Sequence, residues 1–256
     1  MPEFNDVPEK MFFILSTGRT GTHFFEKYIN STCERHICLH EPKPSRRFKI
    51  LSNLYIQGKI SDQFVFYRYL QARKRYFKGN KGCSFVESNN FMFGCIPAIS
   101  KYLNNVNVIH IVRHPVSYII SHLNHGFWRG RKKVIAKYMP YWLEDIGRKD
   151  DPVRILARRW GYVNERINSY NPLLRYMCIR FEDLFDRDEQ GALSAINSVR
   201  RFLGCPELSD SLNYKFIKKP TNVSRGKQGL TDLHPRDIDY VNTQLGPLMK
   251  KFGYWN

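Results

Sequence analysis

Four apolar residues, Phe12-Phe13-Ile14-Leu15, run directly into Ser16-Thr17-Gly18-Arg19-Thr20-Gly21-Thr22 and then His23-Phe24-Phe25-Glu26. No other stretch restricts the fold so strongly. The apolar run is too short for a helix and predicts a buried strand. Gly18 and Gly21 allow a tight turn and a close approach of backbone to ligand. Thr20 or Thr22 is placed to cap a helix beginning there. A strand, a glycine-bearing loop and a helix N-terminus aim N–H groups and the positive end of a dipole at one point, which suits an oxyanion. Arg19 adds a planar fork of charged donors. Ser16, Thr17, Gly18, Arg19, Thr20, Gly21 and Thr22 are therefore candidate anion-binding residues. The loop departs from the Walker pattern, because Gly21 is followed by Thr22 and His23 and no Gly-Lys-Ser/Thr occurs in the chain. It predicts a phosphate or sulfate site with no dedicated nucleotide–metal complex.

The rest of the chain alternates strands and helices. Strands are expected at His36–Leu39, Cys83–Val86, Val106–Val112 and Leu174–Phe181. Helices are expected from Thr22 to about Ser31 and over 46–56, 62–76, 93–103, 115–125, 132–145, 152–170, 190–203 and 235–245. Pro42 and Pro44 forbid a regular element after the second strand, Pro115 suits a first helical position, and 218–230 is expected as a polar loop. The pattern predicts an α/β three-layer sandwich with a central, mostly parallel sheet, as one domain over residues 1–256. Ligands in such sheets sit beyond the carboxyl ends of the strands, which selects Arg19, Glu41, Glu87, Arg113 and Phe181-Glu182-Asp183.

The chain carries 41 Lys and Arg against 23 Asp and Glu, a formal charge of +18. That favours an acidic substrate, a nucleotide or nucleic acid. The cations are scattered, with short clusters at Arg73-Lys74-Arg75, Arg129 to Lys133 and Arg158-Arg159, and there is no long basic tail, so no nucleic-acid partner is expected. The polar, acidic start, Met1 to Lys10, is unlike a signal peptide, and no apolar stretch approaches the ~20 residues of a membrane helix. A cytoplasmic location with no transmembrane segment is the expectation. Six cysteines without a Cys-x-x-Cys pair predict reduced thiols and no metal site.

Arg113 follows the strongest strand, where a magnesium-dependent phosphate-binding fold often places a metal-holding carboxylate. An Arg there binds an anion directly, and Ser121, two helical turns on, is positioned to share it. Two well-separated anion sites suit a nucleotide phosphorylated at both ends of its ribose. Here the chain resembles the sulfotransferases that use 3′-phosphoadenosine 5′-phosphosulfate (PAPS). Ser16-Thr-Gly-Arg-Thr-Gly-Thr22 is similar to their P-loop-like phosphosulfate-binding loop. Val112-Arg-His-Pro-Val-Ser-Tyr-Ile-Ile-Ser121 is similar to their 3′-phosphate motif, about 95 residues later.

The resemblance implies PAPS as sulfuryl donor without a metal, and further roles. Arg19 would contact the 5′-phosphate and the transferring group. Phe181 resembles the aromatic beside the adenine. Asn222-Val-Ser-Arg225-Gly226-Lys227 resembles the late basic loop over the 3′-phosphate. The third-strand His of many family members is absent, since Asn89 stands near its place and cannot take a proton. Glu41, in Leu-His-Glu-Pro, resembles the base of the tyrosylprotein branch; Glu87 and then His40 are the other candidate catalytic groups. The basic surface points to an acceptor such as an acidic glycan, reacting through a hydroxyl or amine. A nucleotide or small-molecule kinase of P-loop type and a basic nucleic-acid-binding protein are the competing expectations.

Overall fold

The computed structural model describes residues 7–78, 80, 82–125, 151–185, 188–218 and 231–254 of the chain. The helix expected over 132–145 and most of the loop expected over 218–230, including Arg225, Gly226 and Lys227, lie outside these residues.

The strands are β1 (Met11–Ser16), β2 (His36–His40), β3 (Ser84–Ser88), β4 (Val106–Val112) and β5 (Arg175–Arg180). They form one sheet in the order β2-β3-β1-β4-β5, and every neighbouring pair is parallel. β1 is central and buried at all six positions, which explains its continuous apolar run in place of an alternating one. The described helices are α1 (Thr22–Thr32), α2 (Ser45–Ile56), α3 (Asp62–Phe77), α4 (Ile96–Ser100), α5 (Pro115–Leu123), α6 (Pro152–Asn168), α7 (Phe181–Phe185), α8 (Glu189–Leu203), α9 (Asp210–Ile217) and α10 (Pro235–Lys251).

Both faces of the sheet are covered. Phe13, Leu15, Phe85 and Val108 pack against Phe48 of α2, Val65 and Tyr69 of α3, and Val163 and Ile167 of α6. Phe12, Ile14, Val86, Ile109 and Ile111 face Phe25 and Tyr28 of α1 and Ile196 and Val199 of α8. Beyond β4, a third apolar group joins Tyr118 of α5, Trp160 of α6 and Val241 and Leu245 of α10. Among the described residues no helix is long and apolar enough to cross a membrane.

Several expectations need correction. In place of one helix over 93–103 there is a 3-10 turn, Asn90–Met92, followed by the short α4. Gly94 explains the break, because a Cβ there would lie 2.9 Å from the Ser52 carbonyl, so the chain is pressed against α2. The helices α7 and α9 carry too few residues for periodicity to announce them. Conversely, α10 continues through Pro247 to Lys251, held by Val241, Leu245 and Met249 in the third apolar group. Arg73, within one of the short cationic clusters, is fully buried.

The cysteines differ as well. Cys33 and Cys205 form a disulfide, with Cα atoms 5.9 Å apart across 172 residues of sequence. Cys33 follows α1 and Cys205 follows α8, and only the packing of both helices on one sheet face makes them neighbours. His36 Nδ1 lies 3.7 Å from Cys205 Sγ, and its Nε2 is 3.0 Å from the Leu203 carbonyl.

Candidate active site

The loop after β1 is knotted around one hydroxyl. Ser16 Oγ accepts hydrogen bonds from the Gly18 N–H (3.0 Å) and Thr20 Oγ1 (2.7 Å) and donates to Asn90 Oδ1 (2.5 Å). One donor and two acceptor positions are all a serine hydroxyl offers, so the turn is fixed. Gly18 and Gly21 have φ of 90° and 72°, and Arg19 joins them at 58°. A non-glycine residue in this region is uncommon and strained. Gly21 is itself the N-cap of α1, with no side-chain hydrogen bond. Capping by Thr20 or Thr22 is therefore not what the structure shows, because the Thr20 hydroxyl is spent on Ser16. The Thr22 carbonyl accepts from Ser88 Oγ at 3.0 Å. A Cβ on Gly21 would come within 2.8 Å of the Phe185 ring. Thr17 Oγ1 is buried and has no hydrogen-bond partner among the described residues.

Residues far along the chain meet this loop. Arg113, just beyond β4, donates from Nη1 to the Arg19 carbonyl at 2.8 Å. Its guanidinium lies over the Phe181 ring, 4.3 Å from the centroid, and its own carbonyl accepts from Trp160 Nε1 at 2.8 Å. Trp160 is thus core and support at once. Arg19 Nε reaches Ser121 Oγ at 3.3 Å. The two candidate anion-binding segments, expected to be well separated, meet through these contacts. Burial lowers the Arg19 pKa. His122, beside Ser121, has a buried Nε2 with no hydrogen-bond partner among the described residues, lying 4.0 Å from where a Gly18 Cβ would be. Burial first, then Arg159, Arg19, His125 and Arg113, hold its pKa well below the usual histidine value. Its protonation is opposed by the same positive potential that would attract an anion.

The three acid–base candidates have different surroundings. Glu41 follows β2 with φ 43°, and its N–H donates to the Ser88 carbonyl at 2.9 Å. Asn90 Nδ2 lies 3.5 Å from Glu41 Oε1. Burial raises the Glu41 pKa, while Arg46 and Asn90 pull it down. Glu87 is wholly buried and receives Arg73 Nε at 2.7 Å and Nη2 at 2.6 Å. Asn89 Nδ2 adds a third hydrogen bond to it at 2.8 Å. His40 turns toward α1: its ring centroid is 5.1 Å from that of His23, and its N–H donates to Glu26 Oε1 at 3.0 Å. Burial, then His23, lowers its pKa.

The structure therefore joins Ser16, Gly18, Arg19, Thr20, Arg113, Ser121, Phe181 and Glu41 into one region and leaves Glu87 locked to Arg73. Asn90, which follows the expected third strand and is not among the expected site residues, links Ser16 to Glu41. His122 and Phe185 were also missed; each is close in sequence to a chosen residue, Ser121 or Phe181, and that proximity was the available signal. Among the described residues the grouping of metal-capable side chains is Cys33, His36 and Cys205, of which the two cysteines are bonded to each other.

No protein-family profile and no curated protein matches the sequence. Solved structures do. A sulfotransferase from Alicyclobacillus acidocaldarius superposes with a TM-score of 0.59 at 15% identity, covering 94% of this chain and 93% of its own. Sulfotransferase STF9 from Mycobacterium avium gives 0.57 at 12% identity over 98% of this chain and 79% of that one. The sulfotransferase domain of the curacin biosynthetic pathway gives 0.53 at 15% identity over 94% and 98%. With the glycine-bearing loop at the central strand and Arg113 one strand away, this chain has the P-loop-like fold of the sulfotransferases.

Proposed function

We propose that the protein transfers a sulfuryl group from PAPS to a hydroxyl or amine of an acceptor. The observation that carries this reading is the meeting of the two motifs, Arg113 on the Arg19 carbonyl and Arg19 on Ser121. Fixed positive charge lies beyond the carboxyl ends of β1 and β4, where a doubly phosphorylated nucleotide would be gripped. Thr17 Oγ1 and His122 Nε2, buried and without a hydrogen-bond partner among the described residues, fit a ligand rich in polar oxygens.

When bound, the donor would supply a sulfuryl group activated by its link to phosphate. The chain's residues do the rest. Arg19 and the N–H groups of Thr20 to Thr22 neutralise charge on the departing phosphate oxygen, a type of contact worth roughly 10²–10³ in rate per donor. Arg113 and Ser121 hold the 3′-phosphate, and Phe181 flanks the base. Glu41 takes the acceptor's proton; its raised pKa suits a base that must bind that proton. Asn90 fixes its distance from the loop.

Thermal shift with adenosine 3′,5′-bisphosphate, ATP–magnesium and a single-stranded oligonucleotide tests the reading. The bisphosphate should stabilise the protein most. Stabilisation by ATP–magnesium alone would favour a kinase, and by the oligonucleotide alone a nucleic-acid-binding protein. Sulfonated product from PAPS and an acidic glycan, detected by mass spectrometry, would extend the result to the acceptor.

A further inference from the structure

A groove of about 460 Å³ lies between α2 and α3, within the size range of small-molecule sites. Lys43, Arg47, Arg68 and Arg75 line it, and no acidic residue does. Their placement follows from helical spacing. Arg47 and Leu51 are one turn apart on α2; Arg68, Gln71 and Arg75 share a face of α3. None of the four cations is in an ion pair among the described residues. Arg68 Nη1 donates to Gln71 Oε1 at 3.1 Å, and Arg75 lies 4.5 Å from the centroid of the Tyr76 ring. Four like charges along one groove repel each other, and a bound polyanion relieves that repulsion.

Lys43, one of its lining residues, is two residues past Glu41, a separation of at most about 7 Å along the chain. The groove therefore reaches close to the Glu41 turn, and a polymer long enough to lie in it and extend past Lys43 can present a unit there. Single-stranded nucleic acid is ordinarily held by exposed aromatic platforms. Phe48, the aromatic residue in this lining, is 1% exposed, so what faces a ligand is guanidinium, ammonium, amide and aliphatic surface. Those groups suit carboxylates, sulfates and hydroxyls.

We propose that the α2–α3 groove binds a linear acidic polysaccharide, the acceptor chain of the transfer reaction. This rests on the function proposed above for its second half only, since the groove can bind such a chain whatever the chemistry at Glu41. The test measures binding of a heparosan oligosaccharide, whose charges are carboxylates, to the wild type and to the double variant Arg47→Ala/Arg68→Ala. An oligodeoxynucleotide of equal charge, a neutral dextran oligosaccharide and adenosine 3′,5′-bisphosphate are measured alongside. The double variant should bind heparosan roughly tenfold or more weakly, as expected for losing two charged hydrogen-bonding groups, with bisphosphate affinity kept. A second double variant, Arg201→Ala/Lys250→Ala, removes two exposed cations elsewhere and should leave heparosan affinity unchanged. Equal losses from both double variants, or none from the first, would overturn the proposal. So would an oligodeoxynucleotide that binds more tightly than heparosan and is weakened by the first pair. Heparosan binding lost in the first variant, by a protein that ignores the bisphosphate, would keep the groove assignment and refute the sulfuryl-transfer reading.

Discussion

Glu41 and Glu87 stand at the same end of the sheet, one just past β2 and one on its partner strand β3, yet their surroundings differ sharply. Glu87 enters the face covered by α3, where Arg73 meets it with two parallel hydrogen bonds and both side chains are fully buried. Glu41 lies past the end of β2 in a left-handed turn, near an amide at 3.5 Å, and burial raises its pKa. A carboxylate whose oxygens already accept two guanidinium hydrogen bonds and one from an amide, with no exposed surface, is closed to an acceptor substrate. A carboxylate desolvated beside weak partners gains by accepting a proton. The same residue type, directly before Pro42 in one case and near the end of a buried strand in the other, is thus fitted for chemistry or for architecture.

The largest effect should separate the two roles outright. Glu41→Gln keeps the side chain's shape and removes the base, so turnover should fall by roughly 10²–10⁴-fold. Affinity for adenosine 3′,5′-bisphosphate, followed by calorimetry, should be unchanged. Arg113→Ala should do the reverse, weakening bisphosphate binding most. Near-normal turnover in Glu41→Gln would return the base to another group and erase the comparison.

The second effect is on stability. Glu87→Gln leaves the Arg73 guanidinium buried beside a neutral amide, and breaking a buried pair from one side costs about 3–5 kcal/mol. Urea unfolding should show that loss, while the folded fraction retains bisphosphate affinity. Replacing both partners, Arg73→Met with Glu87→Leu, should recover most of it, because two apolar groups leave no stranded charge. A Glu87→Gln protein as stable as the wild type would mean that the pair is not holding α3 to the sheet.

How far the sequence announced this contrast depends on range. The turn after β1 and the Arg113-His114-Pro115 junction were legible because their signals are local: an apolar run, glycines that must adopt positive φ, and a proline at a first helical position. The α/β layering followed from the same alternation. The Arg73–Glu87 pair was not legible, because Arg73 sits in Arg-Lys-Arg, which looks like a solvated charge run. Only the packing of α3 over β3 turns one of those three residues inward. The link through Asn90 was hidden for a related reason. It joins residues 74 and 49 positions away, and an asparagine after a strand looks like turn chemistry. The Cys33–Cys205 bond likewise depends on two helices sharing one face.

A third measurement sharpens the comparison through pH. The folded pKa of Glu41 is raised, so the folded protein holds that proton more tightly than the unfolded chain does. Its contribution favours folding below the unfolded value of about 4.3 and is lost as pH rises through the folded value. Glu41→Gln has no such charge to desolvate. Its Tm should exceed that of the wild type at neutral pH, and the difference should shrink on acidification toward pH ~4. The same raised pKa moves the acid limb of the wild-type rate profile upward in pH. A lower Tm in Glu41→Gln at neutral pH would show that the carboxylate is stabilised in place, as Glu87 is, and the distinction between them would fail.

The smallest effect belongs to His40, the third candidate. Its ring faces His23, and its pKa is lowered by burial and then by that neighbour. The sign is opposite to that of Glu41: the folded state resists the proton, so stability is present above the unfolded value of about 6.5 and declines as pH falls below it. His40→Gln should therefore match the wild type at pH 8 and lose less Tm between pH 6.5 and pH 5. Its turnover at pH 8 should stay well short of the ~10²-fold loss that marks a missing general base. A loss of that size, with bisphosphate affinity intact, would move the proton-accepting role one residue back along β2 and leave Glu41 as the group that orients it.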